Sequence, residues 1–214
     1  MTLVSNQWQD VPIAESLTRL FDGNGTVYLV PGYFTREAYA LIRDDIVAFL
    51  ERDPENELLV VVSPTADQFT PSVGRDLRGL GDRVQVYAYP HGCLHAKLYL
   101  RVGPEPFAII GSVNLTRVAL EQNVELGLII EPESAGADAG TSRARIDRLA
   151  EWTEELVATS RPIRGRDLHW PVMAFNSLSI WVNKARLLPR RRLVHQPFVY
   201  LVIFLVVVYL AVST

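Results

Sequence analysis

The residues best suited to do chemistry lie in one stretch of the chain: His95-Ala96-Lys97, then Gly111-Ser112-Val113-Asn114, then Glu125. A neutral imidazole can attack phosphorus and form a covalent intermediate when its second nitrogen is held as a donor by a carboxylate or carbonyl. A neighbouring ammonium is a compact charge that neutralises phosphate oxygens. Hydroxyl and amide groups supply neutral donors where charge grows in the transition state. These are the parts for attack on a phosphodiester without a metal or other cofactor. His95 is the candidate nucleophile, Glu125 the group that orients it, Lys97 the phosphate cation, and Ser112 and Asn114 further phosphate donors. The chain has only two lysines, Lys97 and Lys184, against nineteen arginines, so the lysine beside His95 is not an interchangeable surface cation. Read as a strand, Leu94, Ala96, Leu98 and Leu100 face a core, while His95, Lys97 and Tyr99 point the other way, with His95 and Lys97 roughly 6–7 Å apart.

In this order the HxK, the GSxN and the later carboxylate resemble the phospholipase D superfamily, whose pattern is HxK, four residues, Asp, then GSxN. The resemblance runs from about Thr26 to Ile130, from VYLVPGYF through VQVYAYP to NVELGLII. It implies His95 as nucleophile, Lys97 as phosphate ligand, Ser112 and Asn114 as motif donors and Glu125 as the histidine's partner. The chain departs from the pattern at Val102, where the family has Asp, and in a longer path to Gly111 through Gly103-Pro104-Glu105-Pro106. The missing Asp implies a partial loss of support behind the site. Members with a single HxK obtain their second histidine from a symmetry mate and are often nucleases, so the resemblance implies a homodimer sharing one active site. Two other chemistries are weaker. His91, Cys93 and His95 share a strand face, but residues two apart on an extended chain splay too widely to meet at one zinc ion. A serine hydrolase lacks its GxSxG elbow.

The elements that must position these groups read as alternating helices and strands. Pro12 to Asp22 is a short helix and Thr26 to Val30 a strand. Thr35 caps a helix to Leu50, Leu58 to Val62 is a buried strand, Pro71 to Leu80 a helix and Val84 to Tyr89 a strand. The HxK strand, Phe107 to Ile110 and Val124 to Ile130 follow. Ser134 to Thr141 is a small-residue linker, and Arg143 to Thr159 a helix. This order predicts an α/β fold with a mixed β-sheet sandwiched between helices, followed by a C-terminal helical and hydrophobic segment. Residues 1–160 form the catalytic domain, 161–192 a basic amphipathic linker and 193–214 a tail.

At 214 residues the chain has ample length for one core, and a single cysteine excludes an internal disulfide framework. Residues 1–160 hold 23 acidic and 13 basic side chains, and residues 161–214 hold 8 basic and 1 acidic. An acidic body does not steer nucleic acid by bulk charge. Leu168 to Leu188 places Trp170, Ala174, Leu178, Trp181, Ala185 and Leu188 on one helical face, which either lies on an anionic membrane or packs on the body. Phe198 to Val212 is uncharged and mostly aliphatic. It spans about 22 Å as a helix, and the stretch from Leu193 to Thr214 about 33 Å, near the thickness of a bilayer core. Arg190-Arg191-Arg192 precedes it, which predicts a single-pass membrane anchor with the catalytic domain on the cytoplasmic side. The reading reached is a membrane-tethered phosphodiesterase acting on nucleic acid. The alternatives are a phospholipid-cleaving or phosphatidyl-transferring enzyme and a degenerate, membrane-anchored binding module.

Overall fold

The computed structural model describes residues 1–5, 12–91, 93–132 and 139–186. Its frame is one eight-stranded mixed sheet. The strands are β1 (Thr2–Ser5), β2 (Thr26–Val30), β3 (Glu57–Val62), β4 (Val84–Ala88), β5 (Leu98–Val102), β6 (Phe107–Gly111), β7 (Leu126–Ile130) and β8 (Arg161–Pro162). Their spatial order is β1-β7-β6-β5-β2-β3-β4-β8. β2, β3 and β4 run parallel, and every other pairing is antiparallel. β3 is an unbroken apolar run because it is central and covered on both faces.

Helices α1 (Ile13–Thr18), α2 (Arg36–Arg52), α3 (Pro71–Arg78) and α4 (Arg117–Glu121) cover one face. Ile42, Ile46 and Phe49 of α2 and Val73 and Leu77 of α3 are buried with Val27, Leu29, Leu58 and Val60 of the sheet. Helix α5 (Ala139–Thr159) covers the other face, burying Ile146, Ala150 and Leu156 against Val30, Val61, Leu98 and Leu100. The mixed sheet between helices is the architecture that the alternation of elements predicts. Thr35 caps α2 as expected, its side chain accepting from the Ala38 N–H.

The HxK tripeptide differs from expectation. β5 begins at Leu98, so His95, Ala96 and Lys97 precede the ladder, and the Lys97 carbonyl accepts from the Gly111 N–H at 3.4 Å. Tyr99 shares no open face with them. It is fully buried beneath the helices on the α2 side, its hydroxyl donating to the Val113 carbonyl at 2.7 Å. Burial pushes its phenol pKa strongly upward.

After α5 the chain returns to the body. β8 pairs with β4, and a 3₁₀ turn (Gly165–Leu168) leads into α6 (Trp170–Arg186). Ile163, Leu168 and Met173 enter the same core as α2 and α3. Asn176 donates to the Pro64 carbonyl, and the Ser177 hydroxyl bridges the Ala66 N–H and Asp67. Of the two readings of the 168–188 helix, its first half follows the second and packs on the body.

The membrane anchor is corrected. Among the described residues no helix is long and apolar enough to cross a membrane, and α6 sends Met173 into the core of the body while Trp170, Val172 and Phe175 stay exposed. Phe198 to Val212, on which that expectation rested, lies outside the described residues.

Candidate active site

Three loops meet at the end of the sheet where the parallel strands terminate. The segment after β2 is held by backbone bonds to two others: Phe34 N–H to the Gln68 carbonyl at 2.8 Å, and Thr35 N–H to the Leu115 carbonyl at 2.9 Å. Pro31-Gly32-Tyr33 is thereby pressed against the HxK and GSxN segments. A Cβ on Gly32 would stand 2.7 Å from Lys97 Nζ and 2.8 Å from Asn114 Oδ1, so a side chain here would displace both tips. At Gly111 a Cβ would meet the Leu126 carbonyl at 2.2 Å, which sets glycine at the first position of GSxN.

Lys97 is buried and His95 exposed. Lys97 Nζ donates to the His95 carbonyl at 2.8 Å and lies 3.1 Å from His95 Nδ1. Burial lowers the lysine's pKa, while Cys93 and Glu125 act in the opposite direction without cancelling it. The Tyr33 ring stands edge-on to the His95 imidazole, with centroids 6.3 Å apart. Tyr33 N–H donates to Asn114 Oδ1 at 3.1 Å, fixing which way the amide faces.

Ser112 and Glu125 form a second unit. The Ser112 hydroxyl donates to Glu125 in a short bond and accepts the Leu126 N–H at 3.1 Å. Asn123 donates to the other carboxylate oxygen of Glu125 at 3.1 Å. Glu125 is buried and sits just before β7, outside the strand in which the sequence placed it. The structure brings His95, Lys97 and Asn114 together around Gly32, and joins Ser112 to Glu125. The carboxylate's hydrogen bonds to Ser112 and Asn123 and its charge beside Lys97 are its clear contacts.

Val102 sits at the far end of β5, opposite Thr26, whereas Lys97 adjoins the end of the sheet marked by the Leu98–Val30 pair. The departure from the family's Asp therefore lies a strand length from His95 and Lys97. The Gly103 to Pro106 insert turns there too, between Arg101 and Phe107.

On the α5 side, His95 and Lys97 open into a cleft of about 460 Å³ whose other walls include Ile110, Leu149 and Trp152. Sequence reasoning missed Gly32, Tyr33, Asn123 and Trp152. A glycine directly after a buried strand was the available signal for the first of these. Among the described residues no three His, Cys, Asp or Glu side chains converge to hold a metal ion.

A family model described as cardiolipin synthase, PLD-like domain, matches residues 24–144, more than half of the chain. Among solved structures, the phospholipase D family member Nuc from Salmonella typhimurium gives a TM-score of 0.54 at 14% identity, over 76% of this chain and 97% of that one. The phosphatidylserine synthase of Haemophilus influenzae Rd KW20 gives 0.50 at 14% identity, over 77% of this chain and 40% of that one. At such identity the likeness is one of fold. No curated protein matches the sequence.

Proposed function

The chain belongs to the PLD-like domain family, and from that premise we propose that it hydrolyses phosphodiesters, most readily those of nucleic acid, through a phosphohistidine formed on His95. The observation that carries this reading is the clustering of His95, Lys97 and Asn114 around Gly32, beside an open cleft.

The free site has one feature that substrate must change. An ammonium 3.1 Å from His95 Nδ1 makes that nitrogen the acceptor and leaves the ring proton on Nε2. Attack by Nε2 needs the opposite tautomer. A phosphate entering beside Gly32 draws Lys97 to its own oxygens, where the N–H pair of Asn114 joins it. Nδ1 can then carry the proton, and in this reading Glu125, whose charge acts on Lys97, is the carboxylate that accepts it. Nε2 bonds to phosphorus as the bond to the leaving oxygen breaks, and that oxygen takes a proton from an acid. Water then attacks the phosphohistidine and regenerates the imidazole.

The acid is His95 of a second copy, since one chain supplies a single HxK. Val118, Val124 and Leu126 are exposed apolar side chains close to Ser112 and Glu125, a surface suited to a two-fold contact beside the site. A second reading, attack on a phospholipid phosphate, draws support from the description of the family model as cardiolipin synthase. The degenerate-module alternative rested on Val102, and the distance of that residue from the site weakens it.

The test is to incubate the protein, with chelator present, with single- and double-stranded nucleic acid and with phospholipid vesicles. Chelator-resistant cleavage of nucleic acid that vanishes in His95→Ala is the expected result. Cleavage that survives in His95→Ala removes the mechanism, and turnover of vesicles alone replaces the substrate.

A further inference from the structure

We propose that Trp152 is a substrate-positioning residue whose indole stacks on the nucleobase next to the scissile phosphate, restricting the site to single-stranded nucleic acid; this rests on the nuclease reading above. Trp152 is 43% exposed on α5, although Ile146, Ala150 and Leu156 of the same helix are buried against the sheet. A single exposed tryptophan needs no explanation by itself. This one lines the same cleft as His95 and Lys97, with Leu149 and Ile110 completing an apolar wall. A group held there is therefore covalently close to any phosphate on Lys97.

The shape and charge of the surroundings select the ligand. The volume lies within the roughly 300–1,000 Å³ typical of small-molecule sites, enough for a nucleoside. An indole face stacks on any base, so such a wall favours nucleic acid without favouring a sequence. Arg148 lies one helical turn before Trp152 and Arg145 one further turn back, both exposed, and neither forms an ion pair among the described residues. Arg145 donates to the Met1 sulfur at 3.2 Å. Two cations leading away from an aromatic wall suit the phosphates of a strand whose base is turned into the cleft. A paired base in a duplex does not reach the indole without unstacking, which gives the preference for single strands.

The experiment compares wild type, Trp152→Ala and Trp152→Phe on a single-stranded oligonucleotide and on the same oligonucleotide with abasic sugars on both sides of the cleaved phosphate. Trp152→Ala should raise KM roughly tenfold or more on the intact strand. Trp152→Phe should recover most of that loss. On the abasic strand wild type and Trp152→Ala should be equal, because the base that the indole contacts is gone. An equal loss on both strands, or none, overturns the stacking while leaving the nuclease reading in place. A shift of Trp152→Ala to monomer in sedimentation, with the same loss on both strands, assigns the indole to the contact between copies instead. Wild type that turns over phosphatidylglycerol vesicles but neither oligonucleotide overturns both proposals.

Discussion

At the scale of single residues, the phosphate-binding role proposed for Lys97 opposes stability. Its charge is buried, and burial lowers its pKa, so the charged form that a phosphate needs is the form the fold disfavours. The sign follows directly. Lys97 is protonated below its depressed folded pKa and neutral above it, so the alkaline limb of the rate profile should fall at a lower pH than a free lysine would give. An alkaline limb at the usual lysine position would show that Lys97 is not the titrating group. Between its folded and unfolded pKa values the native state binds fewer protons, so stability should rise with pH across that window. Lys97→Met should therefore abolish turnover yet raise the thermal midpoint, by roughly 2–4 °C for each kcal/mol relieved. A lowered midpoint would mean that the bonds to His95 outweigh the desolvation. Glu125 and Ser112 hold each other, so Glu125→Gln and Ser112→Ala should each slow the reaction about 10–100-fold, and the double variant little more. Additive losses would separate them. The sequence named His95, Lys97, Ser112, Asn114 and Glu125 through their types and order. It could not show that Ser112 gives its proton to Glu125, since that pairing depends on the turn from Gly111 and the start of β7 meeting in space.

At the scale of elements, the sequence located the main helices and strands but not β1, α4 and β8. β2 and α2 were legible because an unbroken apolar run and a capped amphipathic stripe are local properties. β1, α4 and β8 have four, five and two residues, too few to show a period, and form because β7, the GSxN turn and β4 offer them partners. The consequence concerns the segment after α5, which composition alone reads as a linker. Leu168 packs so tightly that a Cβ on Gly74 would come within 2.7 Å of it, and Met173 is fully buried. Leu168→Ala should destabilise the protein by about 2–5 kcal/mol, measured by denaturant titration. A chain ending at Ser160 should lose more than Leu168→Ala does, because β8, Ile163 and Met173 leave with it. If that shortened chain melts like the full one, the residues after 160 add nothing to the body.

At the scale of the whole molecule, the proposed mechanism with a single HxK sets a requirement on assembly. In-line displacement at phosphorus needs a nucleophile on one side and an acid for the leaving oxygen on the other. One chain offers one exposed His95, and Val124 and Leu126, the chain neighbours of Glu125, are uncovered apolar side chains. A two-fold axis through that surface would set two copies of His95 across one cleft, each able to serve as nucleophile or acid. The arrangement predicts how mixtures behave. With His95→Ala chains in equal amount, re-equilibrated with wild type, half of the dimers would be heterodimers holding one histidine each. Total activity should then fall well below half of the wild-type value, toward about one quarter, since only wild-type homodimers keep both histidines. Activity proportional to the wild-type chains would mean that each chain completes its own site. Val124→Glu or Leu126→Glu should give monomers by sedimentation and lose turnover together with assembly. Monomers that retain full activity would end the shared-cleft account and require the acid to come from the same chain, where His91, beside Tyr89, would be the first residue to replace.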